Sequence, residues 1–156
     1  MTTRVTLSWH GDRRFVGFGD TGAPVLVNFA PGETAAGVPR PPAGGANAPA
    51  AGPKPTELLL VAAGACTGLD VISLLQKMRV PFTGLHIDVV GERAPEHPKY
   101  FTKVEVTYRL KAAPDAGPSL ERAAEMSMER YCSVGHSLRA RPTWRCEVEA
   151  EEPPRG

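Results

Sequence analysis

The sequence predicts an α+β fold in which helices pack against an antiparallel sheet. Segments with a period of two residues, which is typical of half-buried strands, occur near both ends and in the middle of the chain. Two helical segments separate them, and one of these is apolar on every face, which is typical of a buried helix. The predicted order is three strands, a helix, two strands, a second helix and a last strand.

The three predicted N-terminal strands are short. Residues 5–9 alternate between apolar and polar side chains, and a Gly-Asp pair at 11–12 follows as a turn. Two further strands are predicted over residues 14–19 and 24–29. Residues 30–54 are mostly Ala, Gly and Pro, have no period and predict a long loop.

The predicted core helix spans residues 55–79 and begins with a proline and a glutamate, which suit a first turn. Its apolar stretch, residues 58–69, is shorter than the roughly 20 residues that a membrane span needs. Gly64 and Gly68 each cost the helix about 1 kcal/mol relative to alanine. We therefore expect a neighbouring group to pack very close to the cysteine between them, Cys66.

Four elements are predicted after the core helix. Two strands span residues 85–92 and 101–110, a second helix spans 118–131, and a last strand spans 143–149. In the second of these strands the inner face holds Val104, Val106, Tyr108 and Leu110. The inner stripe of the second helix is Leu120, Ala123, Ala124, Ser127, Met128 and Tyr131.

Length, charge and cysteine content limit the class of protein. A chain of 156 residues fits one domain, here residues 1–150, followed by a frayed polar tail at 151–156. The formal net charge is +1 and no basic patch stands out, so a nucleic-acid partner is not expected. Three sparse cysteines argue against a secreted disulfide framework, and the N-terminus has no signal-length apolar core. We expect a cytoplasmic protein with no membrane partner.

Cys66 and Cys132 are the strongest candidates for chemistry. Peroxide reduction needs two thiols, one that is oxidised to a sulfenic acid and one that resolves it to a disulfide. Cys146 alternates with apolar residues on the last strand, and we interpret it as structural. His136 follows Cys132 by four residues, a spacing that permits a Cys-His nucleophile pair. No second close Cys/His pair exists in the sequence, so we expect no metal site.

An attacking thiol also needs a cation or hydrogen-bond donor that lowers its pKa. The candidates are Arg13, Arg14 and Arg40, and Glu57 could orient one of them through a bidentate pair. Glu57 precedes Cys66 by nine residues, which is about 180° around a helix. If both residues serve one site, they come from two subunits. The apolarity of the core helix likewise predicts a homodimer with this helix near the two-fold axis.

The cysteine motifs resemble those of the OsmC and organic hydroperoxide resistance (Ohr) family. PTELL at residues 55–59, followed by AGACT at 63–67, resembles the helix start of that family, and YCSV at 131–134 resembles its second cysteine motif. The loop and strand start at 95–102 is also similar. The resemblance covers residues 53–148, and the sequence is nearer to the YhfA-like branch than to the established peroxidases.

The resemblance implies an OsmC-like intertwined homodimer with two active sites at the interface. It also implies that Cys66 is the peroxidatic thiol, that Cys132 resolves it through a Cys66–Cys132 disulfide, and that Glu57 pairs with an arginine. The implied function is the reduction of organic hydroperoxides in oxidative-stress defence, with a dithiol reductant and no redox cofactor or metal.

Two alternatives remain open from the sequence. In the first, an apolar interface pocket binds a lipid-like or aromatic ligand, and the cysteines are vestigial. In the second, Cys132 and His136 form the nucleophile and base of a hydrolase.

Overall fold

Six strands form one sheet in the computed structural model, which describes residues 2–20, 22–27 and 55–151. In chain order these strands are β1 (Thr2–Trp9), β2 (Phe15–Phe18), β3 (Pro24–Val27), β4 (Phe82–Arg93), β5 (Phe101–Ala112) and β6 (Thr143–Ala150). Across the sheet they follow the order β3-β2-β1-β4-β5-β6. The predicted loop at 30–54, which includes Arg40, lies outside the described residues.

Three α-helices lie in the described part of the chain: α1 (Pro55–Lys77), α2 (Gly117–Met126) and α3 (Ser133–Ser137). The α+β class and the predicted order of strands and long helices are confirmed. The core helix ends two residues before the predicted Arg79, whose φ of 57° is left-handed and so ends the helical path.

The prediction of a wholly antiparallel sheet is wrong at its last strand. Neighbouring strands from β3 to β5 pair antiparallel, whereas β6 runs parallel to β5, with Tyr108 opposite Cys146. The chain leaves β5 at one end of the sheet and returns through α2 and α3 to the other end before β6 begins. A crossover of this kind is what a parallel pair requires.

The helix α1 lies directly on the sheet because two of its residues have no side chain. A Cβ atom at Gly64 would lie 2.9 Å from Leu7 Cδ1, and one at Gly68 would lie 2.7 Å from Phe15 Cζ. Non-bonded carbon atoms do not normally approach within 3.0 Å, so a Cβ at either position would force the neighbouring side chains to shift. The backbone of α1 therefore approaches β1 and β2 more closely than alanine at either position would permit.

The sheet, and not a close neighbour of Cys66, accounts for these two glycines. Gly64 and Gly68 are four residues apart and share the face of α1 that contacts the sheet. Cys66 is two residues from each, about 200° around the helix, and so lies on the other side. The groups that need the glycines are side chains of β1, β2 and β4.

The predicted second helix is divided in two parts. After α2, residues Ser127–Tyr131 form a π-type turn that closes with a hydrogen bond of 2.7 Å from Cys132 N to Ser127 O. Of the predicted inner stripe, all residues are buried except Tyr131, which is 45% exposed. The wider π turn inserts an additional residue into the helical repeat. The additional residue rotates the following side chains about the helix axis, and the Tyr131 ring therefore faces solvent.

The helix α1 has 23 residues and is therefore longer than the apolar stretch at residues 58–69, which is too short for a membrane span. Residues Thr56–Lys77 are long and apolar enough to cross a membrane by length and composition, and over half of an 18-residue apolar stretch within them is buried inside the fold. The sheet covers one side of α1, and α2 and α3 pack near the other. This burial is what identifies α1 as the core helix of the domain.

The contact at Gly68 leads to a test of the packing. We expect Gly68→Ala to lower the free energy of unfolding by about 1–3 kcal/mol, because overpacking against Phe15 exceeds the gain of about 1 kcal/mol in helix propensity. Urea denaturation measures the change. The matched control is Gly117→Ala in α2, where a Cβ would lie 4.0 Å from its nearest neighbour, Val148 Cγ2. A loss of equal size in both variants would contradict the packing explanation.

Candidate active site

Cys66 lies on the side of α1 that faces away from the sheet, where it is half-buried. Asp70 follows it by four residues and so lies one turn further along the same face. A carboxylate at this position is unexpected within an apolar helix. Asp70 is not among the predicted site residues, although its spacing of four residues from Cys66 is the signal that could have identified it.

Cys132 approaches this face from the other side. It follows the π turn in an extended conformation, with φ −70° and ψ 94°, and caps α3. Its Sγ accepts a hydrogen bond of 3.2 Å from the backbone N–H of Gly135, and the residue is only 1% exposed. The turn therefore delivers a buried thiol, held by a backbone donor, to the surface of α1.

The two thiols and the carboxylate come together in one cluster. The Sγ atoms of Cys66 and Cys132 and a carboxylate oxygen of Asp70 all lie within 4.8 Å of one another. By distance alone such a group could share a divalent ion, so assays of these thiols require a chelator. The contact of the two thiols with each other is the feature on which redox chemistry depends.

The environment of Cys132 favours its protonated form. Burial is the main cause that raises its pKa, and the Gly135 N–H opposes it; a hydrogen bond and charge from Cys66, and the charge of Asp70, raise it further, to about 12. Cys132 is therefore a thiol rather than a thiolate at neutral pH. Any reaction in which it attacks as a nucleophile must first remove that proton.

A chain of buried hydroxyl groups ends at Asp70. Tyr108 OH lies 2.5 Å from Thr67 Oγ1, which lies 2.8 Å from Ser127 Oγ, and Ser127 Oγ donates to Asp70 Oδ2 at 2.8 Å. Tyr108, Thr67 and Ser127 are each fully buried. Apolar periodicity predicts Tyr108 and Ser127 on the inner faces of their elements but gives no sign of the polar network that they form.

The direction of these hydrogen bonds follows from proton count. Ser127 has one proton and gives it to the carboxylate, so Thr67 must donate to Ser127 and Tyr108 must donate to Thr67. Burial raises the pKa of the Asp70 carboxyl above its ordinary value, and the Ser127 hydrogen bond opposes that rise. Burial likewise raises the pKa of Tyr108, which keeps its proton in place at the head of the chain.

His136 is oriented toward the backbone of Cys132 and not toward its thiol. Its Nδ1 lies 2.9 Å from the Cys132 carbonyl oxygen, which can only accept a hydrogen bond. Nδ1 must therefore carry a proton and cannot act as a base. This geometry does not favour the Cys-His hydrolase hypothesis.

Glu57 is separated from Cys66 by the body of α1. It is fully buried, and its Oε2 faces Gly19, close enough that a Cβ there would lie 2.5 Å away. Arg13 and Arg14 lie in the turn between β1 and β2, where Arg14 Nε donates to Gly11 O at 3.5 Å. Within one chain Glu57 thus lies on the sheet side, whereas Cys66 lies on the side of α2 and α3.

Cys146 is half-buried on β6, apart from the thiol pair. Its pKa is raised by burial and by a hydrogen bond and charge from Glu121 of α2. The same glutamate accepts a hydrogen bond of 2.9 Å from Trp144 Nε1. These contacts join β6 to α2, and the structural role of Cys146 stays a prediction.

Two comparisons with known proteins, one with a family model and one with a curated relative, describe the similarity of this chain. A family model described as OsmC-like protein matches residues 45–147. Protein YhfA of Escherichia coli strain K12 is 35% identical over 86 residues, which cover 55% of this chain and 64% of YhfA. The match thus spans less than two thirds of that relative.

Solved structures share the fold along nearly the whole chain. A hypothetical protein from Aquifex aeolicus VF5 superposes with a TM-score of 0.59 at 27% identity and covers 95% of this chain and 96% of its own. An OsmC-like protein from Mycoplasma pneumoniae, at 14% identity and a TM-score of 0.52, covers 94% and 96% and shows the fold alone. Because the family model matches more than half of the chain, this chain belongs to the OsmC-like family.

Proposed function

We propose that this protein is a thiol peroxidase that reduces organic hydroperoxides. The observation that carries the proposal is the cluster in which the Cys66 and Cys132 thiols lie within 4.8 Å of each other in a member of the OsmC-like family. Two thiols at this separation can form a disulfide after a small movement, since the bonded sulfur atoms lie about 2 Å apart.

The exposure of the two thiols supports a division of labour between them. Cys66 is half-buried and reachable, whereas Cys132 is 1% exposed and protonated. Cys66 as thiolate attacks the terminal oxygen of the hydroperoxide, the O–O bond breaks, the S–O bond of the Cys66 sulfenic acid forms, and the alkoxide takes a proton from solvent and leaves as the alcohol. Cys132 then attacks the Cys66 sulfenic acid and releases water. An external dithiol reduces the disulfide and closes the cycle, which is consistent with the reducing cytoplasm that we propose as its location.

A second subunit would complete the site. Leu58 and Leu59, at the start of α1, are 43% and 46% exposed, an apolar surface that a partner helix could cover. The position of Glu57 across α1 from Cys66 supports an arrangement in which each chain orients an arginine toward the thiol of its partner. We propose Arg13, Arg14 or Arg40 as that arginine.

The apolar-ligand alternative has less support. A cavity of about 250 Å³ lies between α1, β5 and the segment after α3, lined by residues that include Leu59, Phe101 and Leu138. Pockets that bind drug-sized ligands are about 300–1,000 Å³. This cavity is smaller, and its lining does not include either thiol of the cluster.

The two thiols should differ when each is replaced in turn. Cys66→Ser should abolish the consumption of cumene hydroperoxide. Cys132→Ser should consume one equivalent and stop as a sulfenic acid that dimedone traps on Cys66. Cys146→Ser, the control, should retain turnover. Peptide mass spectrometry with a chelator present identifies the products. Dimedone on Cys132, or wild type without a Cys66–Cys132 disulfide, would contradict the proposal.

The oligomeric state can be measured independently of activity. We expect a homodimer, because the exposed leucines of α1 require a cover. Light scattering at micromolar concentration should give twice the mass of the chain. Leu58→Glu combined with Leu59→Glu should shift the mass toward that of a monomer. A folded wild-type monomer under these conditions would refute the dimer.

A mixed dimer tests whether Glu57 and Cys66 act across the interface. One subunit carries Glu57→Gln and the other carries Cys66→Ser. If a site takes Cys66 from one chain and Glu57 from the other, one site of the mixed dimer is intact and the other has lost both residues. Peroxide consumption should then be about half that of wild type. If the two residues act within one chain, both sites are defective, and activity should stay at the level of the parent variants.

A further inference from the structure

The second half of the proposed cycle poses a proton-transfer problem. The Cys132 thiol must lose its proton to attack, and the oxygen that leaves Cys66 must gain one to depart as water. Cys132 is 1% exposed, so bulk water does not reach it readily. Burial raises the pKa of its thiol, so the thiolate is scarce at neutral pH. A base next to both sulfur atoms would solve this problem.

We propose that Asp70 is this base, and that its carboxylate carries the proton from the Cys132 thiol to the oxygen that leaves Cys66. The inference rests on the proposed function. Asp70 is assigned as a catalytic residue in addition to the two thiols, because its carboxylate exchanges protons with the reacting atoms themselves.

The geometry supports this role for Asp70 in two ways. A carboxylate oxygen lies within 4.8 Å of both Sγ atoms, a separation that a small side-chain movement or one bridging water closes. Ser127 donates to Oδ2 and so fixes the plane of the carboxylate, while the second oxygen keeps its acceptor capacity. The spacing of four residues from Cys66 keeps the base and the peroxidatic thiol on one helical face.

The surroundings of Asp70 adjust its strength as a base. Burial raises its pKa above the ordinary value, and a carboxylate with a raised pKa binds a proton more firmly. The titratable groups that face it are Cys66 on its own helix, Cys132 after the π turn, and Tyr108 of β5 through the hydroxyl chain. The hydroxyl chain directs hydrogen-bond donors toward the carboxylate and so stabilises the ionised form that accepts a proton.

Atoms and electrons balance in the resolving step. The S–H proton of Cys132 moves to Asp70, the Cys132 sulfur attacks the Cys66 sulfur, the S–S bond forms, and the S–O bond breaks. The leaving hydroxide takes the proton from Asp70 and departs as water. The Cys66 sulfur, oxidised earlier by the peroxide, is reduced to the disulfide level as the Cys132 sulfur is oxidised to it. Asp70 ends the step unchanged.

A single-turnover experiment tests the assignment with Asp70→Asn. Reduced protein is mixed with one equivalent of cumene hydroperoxide, and sulfenic acid and disulfide are measured separately by mass spectrometry after acid quench. The sulfenic acid should form within a few-fold of the wild-type rate. The disulfide should form about 10²–10⁴-fold more slowly at pH 7, since a positioned base contributes about that factor. Asp88→Asn, which removes a carboxylate paired with Arg109 away from the thiols, should change neither rate.

The pH profile separates a proton carrier from a structural residue. In wild type the disulfide rate should rise with pH and become level once Asp70 is ionised. In Asp70→Asn it should rise about tenfold per pH unit throughout, because hydroxide must remove the proton. Asp70→Glu should restore the level region. An Asp70→Asn variant with a wild-type disulfide rate, or with a slower rate but an unchanged profile, would overturn the assignment.

A second variant keeps the test decisive if Asp70→Asn does not fold. Ser127→Ala removes the hydrogen bond that lowers the pKa of Asp70. The pH at which the disulfide rate becomes level should therefore move upward, and an unmoved profile would refute the proposal.

Failure of the proposed function is a different outcome. In that case wild type would form neither sulfenic acid nor disulfide, and both proposals would fall.

Discussion

The close contact between α1 and the sheet is the constraint on which the rest of the structure depends. At Gly64 and Gly68 the helix backbone lies where a single additional carbon would overlap Leu7 or Phe15. A helix packed this closely cannot rotate about its axis without driving a side chain into the sheet. Because the helical repeat is 3.6 residues, fixing the sheet-facing residues also fixes those on the opposite side. The glycines therefore determine the direction in which Cys66 and Asp70 point.

The other half of the site depends on the π turn that follows α2. A regular helix would continue through Cys132 and place it one turn above Met128. The bond from Cys132 N to Ser127 O instead ends the helix and lets Cys132 adopt an extended conformation. Single π turns occur frequently at functional sites, because they alter side-chain directions at a modest cost in backbone hydrogen bonding. Here one turn supplies both the donor to Asp70 and the thiol opposite Cys66.

Local patterns in the sequence predict most of the fold and half of the site. Strands and helices follow from apolar periodicity, and the two cysteine motifs identify the thiol pair. The parallel direction of β6 is not a local property, since it depends on where the crossover returns to the sheet. Tyr108 alternates with apolar residues and so resembles a core residue. Its hydroxyl partner, Thr67, is 41 residues away and becomes visible only when the elements pack.

The energetics of burial explain why the polar residues must act as one unit. A buried hydroxyl without a partner costs about 1–3 kcal/mol, and Tyr108, Thr67 and Ser127 are all fully buried. Each has one proton to donate, so a row of three needs a final acceptor that has no proton of its own. The Asp70 carboxylate meets this condition. No other member of the row can end it, because each is itself a donor.

The need for an acceptor without a proton opposes the effect of burial on the protonation of Asp70. Protonation of its carboxylate would remove the charge that orients the three hydroxyls, so the network favours the ionised form. Burial favours the protonated form, and its effect is larger than that of the Ser127 hydrogen bond, since the pKa of Asp70 is raised. A carboxylate with a raised pKa binds a proton more firmly than an exposed carboxylate does. That property, imposed by the packing of the core, is what proton transfer between two adjacent sulfur atoms requires.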